Sequence, residues 1–319
     1  FFGAGMAKKW LSYQEQVSRL QERGLIVSDT YACESFLSEV SYYRFSGYFR
    51  YWQKNPKYGD DQFLDGINLE TIENIYRKEC EVADVIFAAI RRVEILIRTR
   101  FSHSYGKCVG SGWNLVQGEG LASPGSSSGP DVSDHVLRDL NRSKEAFVGR
   151  YRDNGEVDNG VFTIAAYHDL PVWVAVEVLS FGTLSRCVEA SAGSGVLDDI
   201  AGSLNISKAI LPGQIRSFVY LRNRIAHNAR IWNHSVIDAP ALSGNRKGKK
   251  RIKKRIERKY GKFDPRSVYC VLVALDGLLE HASIDGDWLQ SEIAPRLAEN
   301  RFLDRGIRSP RKYGEMDLS

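Results

Sequence analysis

From Asn68 to about Tyr105 the apolar residues Ile72, Ile75, Val82, Ile86, Ile90, Val93 and Ile97 recur at threes and fours. That spacing lines them up on one stripe of a helix, and Asn68 suits its N-cap. A helix of this length spans roughly 55 Å at the usual rise per residue. It cannot bury its stripe alone, so other elements must be laid along it. The same period governs most of the chain. One helix is expected near Tyr13 to Arg23, stopping at Gly24. A second, capped by Ser28, runs through Ala32, Phe36, Leu37 and Val40, and the two form a helical hairpin. Further helices are expected at about Val132 to Val148, at Pro171 to Phe181 with Gly182 closing the end, and in shorter pieces over Thr183 to Leu204. Pro212 opens a strongly patterned helix through Ile215, Phe218, Val219, Leu221 and Ile225 to about Arg230. An apolar helix over about Arg266 to His281 and a shorter one from Trp288 complete the set. Gly106 to Pro130 is rich in Gly and Ser, has no periodicity, and is expected to be a mobile loop. No run of alternating strand residues and no regular repeat is seen. The fold class is therefore all-α.

A chain of 319 residues with 43% hydrophobic content can bury a sizeable core. No stretch reaches the run of about 18 uncharged apolar residues that a membrane-spanning helix needs, so no membrane is expected as a home. The cysteines Cys33, Cys80, Cys108, Cys187 and Cys270 stand singly without a Cys-x-x-Cys pair, which fits a reducing cytoplasm. Phe1 to Gly5 precede Met6 and have neither the basic start nor the length of a signal peptide. They are expected to be a cloning remnant, with Met6 as the start. Net charge is +5, yet Arg246 to Lys262 holds eleven Lys or Arg against one Glu and leaves the rest of the chain slightly acidic. Basicity so concentrated implies a docking surface for a polyanion.

The patterned helix after Pro212 carries Tyr220-Leu-Arg-Asn-Arg-Ile-Ala-His-Asn-Ala-Arg-Ile-Trp-Asn233, which contains Arg222-Asn223-x-x-x-His227. Asn223 and His227 are four apart and share a face, and the long Arg222 side chain can reach round to them. Phe218, Leu221 and Ile225 give the helix an apolar side, so the polar trio faces a groove or a partner. These residue types suit RNA cleavage by the substrate's own hydroxyl. Histidine can take or give a proton near neutrality, and Arg presents a charged fork that matches phosphate oxygens. Asn223 can orient the phosphate or the imidazole. One histidine does not easily perform both proton transfers, which favours a symmetric dimer that pairs two motif helices. The bare Arg-x-x-x-x-His spacing is weak evidence, since it recurs at Arg98-Thr-Arg-Phe-Ser-His103.

Two separated blocks are more specific. Arg222-Asn-x-x-Ala-His227 followed by Arg230-Ile-Trp-Asn233 is one; Gln14-x-x-x-x-x-Leu-x-x-Arg-Gly-Leu-Ile26 with Tyr42-Tyr-Arg-Phe-Ser-Gly-Tyr48 is the other. Together they resemble the AbiD/AbiF abortive-infection family, whose Arg-x-x-x-x-His belongs to HEPN ribonucleases, over about Tyr13 to Asn233. The resemblance implies an all-helical HEPN-type bundle, with an N-terminal helical hairpin and additional C-terminal helices. It also implies a dimeric, metal-free RNase site and a role in shutting down an infected cell. On it, Arg222 and His227 are catalytic, with Asn223 in the polar position beside Arg222. Asn228 is left without a role. The resemblance also admits a HEPN protein that binds RNA without cutting it, or one held by a structured small RNA.

The expected organisation is a remnant at 1–5, an N-terminal helical region at 6–55, a HEPN-type domain at 68–235 with its Gly/Ser loop at 106–130, a basic linker at 236–262, and C-terminal helices at 263–319 packed on the bundle. Within the basic run, Lys247, Lys249, Lys250, Arg251, Lys253, Lys254, Arg255 and Arg258 are candidate RNA contacts, because many cations on a strand release many counterions. The segment from Tyr42 to Trp52 is mostly aromatic with two Arg. It can stack on unpaired bases, but core packing is its expected use. Glu94 and Arg98, four apart on the long helix, are expected to form an ion pair that supports the bundle. His103, His135, His168 and His281 have no metal-ligand spacing, and His227 and His234 are separated by the helix end. No metal and no cofactor is expected.

Overall fold

The computed structural model describes residues 9–123, 130–243 and 249–316. Phe1 to Gly5, Met6, part of the Gly/Ser stretch and Lys247 lie outside the described residues. Helix α1 (Tyr13–Glu22) starts on a capping box in which Ser12 and Glu15 exchange side-chain-to-amide hydrogen bonds. Helix α2 (Thr30–Val40) is capped by Asp29, one residue beyond the expected Ser28, and packs on α1 as a hairpin. Helix α3 (Tyr42–Phe49) follows after the single residue Ser41. Its aromatic run splits: Phe45, Tyr48 and Phe49, with Tyr51 and Trp52 just beyond, are buried, whereas Tyr43 is 89% exposed.

Two short strands, β1 (Gln53–Asn55) and β2 (Asp60–Phe63), pair antiparallel and return the chain to Asn68. A second pair, β3 (Val157–Asp158) and β4 (Val161–Phe162), lies later in the chain. The sequence reading missed both because strands of two to four residues are too short to show alternation.

The long helix α4 (Leu69–Cys108) begins at its Asn68 cap and forms the axis of the molecule. Its stripe from Leu69 through Ile72, Ile75, Val82, Ile86, Ile90, Val93, Ile97 and Phe101 is buried, with two charged intruders, Glu79 and Arg98. The expected loop after it holds a helix, α5 (Gly112–Gln117), seated so closely on the chain at Leu170 and Pro171 that a Cβ at Gly112 would lie 2.4 Å from the Leu170 carbonyl oxygen. The helix expected over Val132 to Val148 is two, α6 (Val132–Arg142) and α7 (Ala146–Arg152). Likewise the chain from Pro171 to Phe181 holds only the short α8 (Val172–Ala175) and a 3-10 turn. Gly182 lies in the first turn of the next helix, α9 (Phe181–Ala190), which Ser180 caps.

Helix α10 (Val196–Ser203) leads to α11 (Leu211–Ala226), which lies against α4 and α9 with Ile215, Phe218 and Leu221 buried. The stretch expected as a basic linker contains an amphipathic helix, α12 (Lys249–Tyr260), with Ile252, Ile256 and Tyr260 turned to the body. Helix α13 (Val268–His281) is buried almost all round, as a central helix must be, and packs on both α4 and α11. Two short helices, α14 (Ala294–Ala298) and α15 (Arg301–Arg308), close the far side of α4. The fold is all-α, and no described helix is long and apolar enough to cross a membrane.

Candidate functional site

Helix α11 ends one turn earlier than expected, and the ending shapes the site. His227 is the C-cap, Asn228 adopts a left-handed conformation (φ 51°), its amide donates to the Ile225 carbonyl, and the Ala229 amide donates to that of Arg224. This is a Schellman closure, in which the left-handed residue favours Gly or Asn. Asn228 thus has a backbone role that spacing alone did not disclose. Asn223 and His227 are exposed at this helix end and Arg222 is half-buried.

Arg222 is held from behind. Its Nε is buried 3.8 Å from Glu94 Oε2 of α4, while its Nη1 donates to Asn223 Oδ1 at 3.1 Å. The other oxygen of Glu94 accepts from Arg98 Nη2 at 3.0 Å, and Arg98 also donates to the Val176 carbonyl. Glu94 was expected to serve Arg98 alone; it stands between two guanidiniums, and the cluster carries one net positive charge. Arg98 is 9% exposed and spends its fork on α4 and the 3-10 turn. The 3.8 Å separation of Arg222 from Glu94 makes an ion pair without a hydrogen bond, and the Arg222 Nε is left without a hydrogen-bond partner.

The N-terminal block meets the motif here. Arg44 of α3 donates to the Asn228 carbonyl, so it grips the turn that ends α11. The Ile231 amide donates to Glu79 Oε1 at 2.5 Å. Burial pushes the Glu79 carboxyl up, and the Ile231 amide, the Tyr48 hydroxyl, the Trp232 amide and Arg230 pull it back. Arg230 lies over the rings of Tyr48, Tyr51 and Trp232, 4.8 Å from the Tyr51 centroid, and Trp232 stacks on Tyr48. A cleft of about 310 Å³ between α3, α4 and this turn is lined by Arg44, Tyr76, Glu79, Asp84 and Arg230. The contributions of Arg44 and Glu79 were not found in the sequence; nothing in their spacing links them to a motif some 150 to 180 residues away.

The basic run sits elsewhere. Helix α12 borders Ile210 and Gln214 at the start of α11, roughly 20 Å along the helix from His227. Arg251, Lys254, Arg255 and Arg258 are exposed there, and Lys253 is 3.7 Å from Glu257. Lys249 and Lys250 lie on the helix backbone, and Lys247 is outside the described residues. The structure links Arg222 to Asn223 and to Glu94, and Glu94 to Arg98, with His227 one turn beyond Asn223, and the basic run lies apart from them. His234 is turned away, its Nε2 hydrogen-bonded to the Tyr220 hydroxyl at 2.5 Å. Among the described residues no three His, Cys, Asp or Glu side chains converge as a metal site requires.

No curated protein and no solved structure matches the chain. The family model described as "Abi-like protein" matches residues 35–233, more than half of the chain and the span that holds α3, α4 and the motif. The chain belongs to the Abi-like protein family.

Proposed function

We propose that this protein is an abortive-infection factor of the HEPN type, a cytoplasmic endoribonuclease that defends a bacterium against phage by cutting RNA. The observation that carries the reading is the mounting of the motif. Arg222 is ion-paired with the half-buried Glu94 at 3.8 Å and hydrogen-bonded to Asn223, which lies one helical turn from His227 at an exposed helix end. In the proposed reaction His227 accepts the 2′-hydroxyl proton as the 2′-oxygen bonds to phosphorus. Arg222 balances the charge of the phosphorane. The bond from phosphorus to the 5′-oxygen breaks, and the departing oxygen takes a proton from the partner subunit's His227 in a homodimer built on the motif helices. The products are a 2′,3′-cyclic phosphate and a 5′-hydroxyl, and the scheme uses neither metal nor cofactor.

A second reading, an RNA-holding protein that does not cut, is favoured by the exposed cations of α12 at the far end of the motif helix. A structured small RNA would then occupy α12. One experiment separates them: total bacterial RNA is incubated in EDTA with the parent, His227→Ala and Glu94→Gln, and new ends are mapped with their phosphate chemistry. Cleavage by the parent to cyclic phosphate ends, none by His227→Ala, and a rate about ten- to a hundredfold lower for Glu94→Gln are expected. RNA retained by both parent and His227→Ala, with no new ends from either, would leave only the second reading.

A further inference from the structure

The aromatic segment has a use besides the core. Beside the buried rings of α3, a groove of about 350 Å³ runs between α1, α3 and the start of β1. It continues, through the shared walls of Leu11, Gln16 and Tyr42, into a second hollow of about 380 Å³ beneath Trp10 and Tyr13. Lys9, Arg19, Arg23 and Arg50 face the first hollow and Asp61 is its one carboxylate, already paired with Arg23 at 2.8 Å. Along the rim stand three large aromatic side chains that burial does not explain: Tyr43 is 89% exposed, Trp10 80% and Tyr13 47%. In the wall, Gln53 and Gln16 each spend their amide N–H on a backbone carbonyl and leave a buried Oε1 without a partner. Cations in surplus and exposed rings are what a strand of unpaired bases needs: the backbone is neutralised and the base faces are stacked.

We infer that this groove is the docking site for single-stranded RNA, and that the strand passes from it to the motif. The link is α3 itself. Tyr43, on the groove rim, is followed directly by Arg44, which holds the Asn228 turn beside His227. Two neighbouring residues of one helix therefore border both surfaces, so a strand stacked on Tyr43 is led to the helix end that bears Asn223 and His227. A base-paired helix hides its base faces and cannot use the rim. The substrate class is thus RNA with an unpaired flank, which rests on the proposed nuclease reading.

The test uses the full chain carrying His227→Ala, so that binding is read without cleavage. Fluorescence anisotropy is recorded on a labelled single-stranded 12-mer and on a blunt duplex of the same sequence, in constant salt. Tyr43→Ala and Arg19→Ala are each expected to weaken the single strand about tenfold and the duplex far less, and Tyr43→Phe to restore it. The exposure of both side chains means that neither change disturbs folding. Unchanged single-strand affinity, equal losses on strand and duplex, no RNA binding at all, or a change in sedimentation instead of affinity would each overturn the inference. The last of these would make the rim a contact between copies of this chain. A parent that binds in this pattern but cuts nothing would remove the nuclease reading and leave the groove.

Discussion

Arg230 and His234 flank the turn after the motif and show how neighbouring basic groups are handled in opposite ways. Arg230 lies over three aromatic faces, which attract its guanidinium. His234 is half-buried, stacked on Tyr220 and hydrogen-bonded to its hydroxyl. Burial, then the nearby Arg224 and Arg230, hold its imidazole down to about 4. A histidine whose folded value lies below its ordinary one, near 6.5, is neutral in the fold but protonates in the unfolded chain as pH falls. Between those two values the unfolded state binds more protons, so the stability from neutral His234 is complete above about pH 6.5 and drains away as pH falls toward 4. The expected result is a melting temperature that drops by several degrees from pH 7 to pH 5. In His234→Gln, which can still hydrogen-bond the Tyr220 hydroxyl and does not titrate, that drop should shrink. Thermal melts of both proteins across this window check it, and parallel curves would show that His234 contributes nothing.

At the scale of elements, the end of α11 decides where His227 points, and Asn228 decides the end of α11. Its left-handed backbone is strained for a β-branched side chain and relaxed for glycine. Asn228→Val should cost about 1–2 kcal/mol, measured by urea denaturation, whereas Asn228→Gly should stay close to the parent. Equal losses for both would mean that the Asn side chain matters and the backbone geometry does not. This ending was hidden in the sequence because the apolar period persists through Ile225 and gives no stop before Arg230. Where period and cap agree, as at Asn68 and along the stripe of α4, the reading gave the element and its start. It failed where tertiary contacts set the limits. The Ser180 amide donates to Asp139 Oδ2 of α6, and its hydroxyl accepts from the Thr183 amide; together these break the chain ahead of Gly182 and start α9 there. Helix α5 exists because Gly112 lets it press on Leu170 and Pro171. The trio could be singled out as a candidate because its three residues lie within six positions, and the Glu94–Arg98 pair because the two are four apart on one helix; the reach of Glu94 to Arg222 and the contacts of Arg44 and Glu79 join different helices and could not.

Across the whole molecule, the segment beyond the family match closes over the motif's exit. Trp232 is fully buried, and its indole N–H donates to the Phe302 carbonyl of α15 at 2.8 Å. The Arg311 amide donates to Asn233 Oδ1 at 2.9 Å, and Tyr313 packs on Tyr51 at 4.6 Å. Gly306 is the point of closest approach, since a Cβ there would lie 2.2 Å from the indole nitrogen and 2.4 Å from Cδ1. A rigid, fully buried ring cannot give way by that much, so Gly306→Ala must lift α15 or push Trp232 toward Tyr48 and Tyr51. Either movement reaches Arg230 and the turn that sets His227. The expected cost is about 1–3 kcal/mol from overpacking, a melting temperature lower by several degrees, and a fall in RNA cleavage at temperatures where the variant is still folded. Gly277 on α13 supplies the contrast, because a Cβ there meets nothing within 4 Å. Gly277→Ala should leave cleavage alone and raise stability by up to about 1 kcal/mol through helix propensity. If Gly306→Ala melts with the parent, α15 is not seated on Trp232. If it melts early yet cuts RNA at the parental rate below the transition, the C-terminal helices stabilise the fold without setting the geometry of the site.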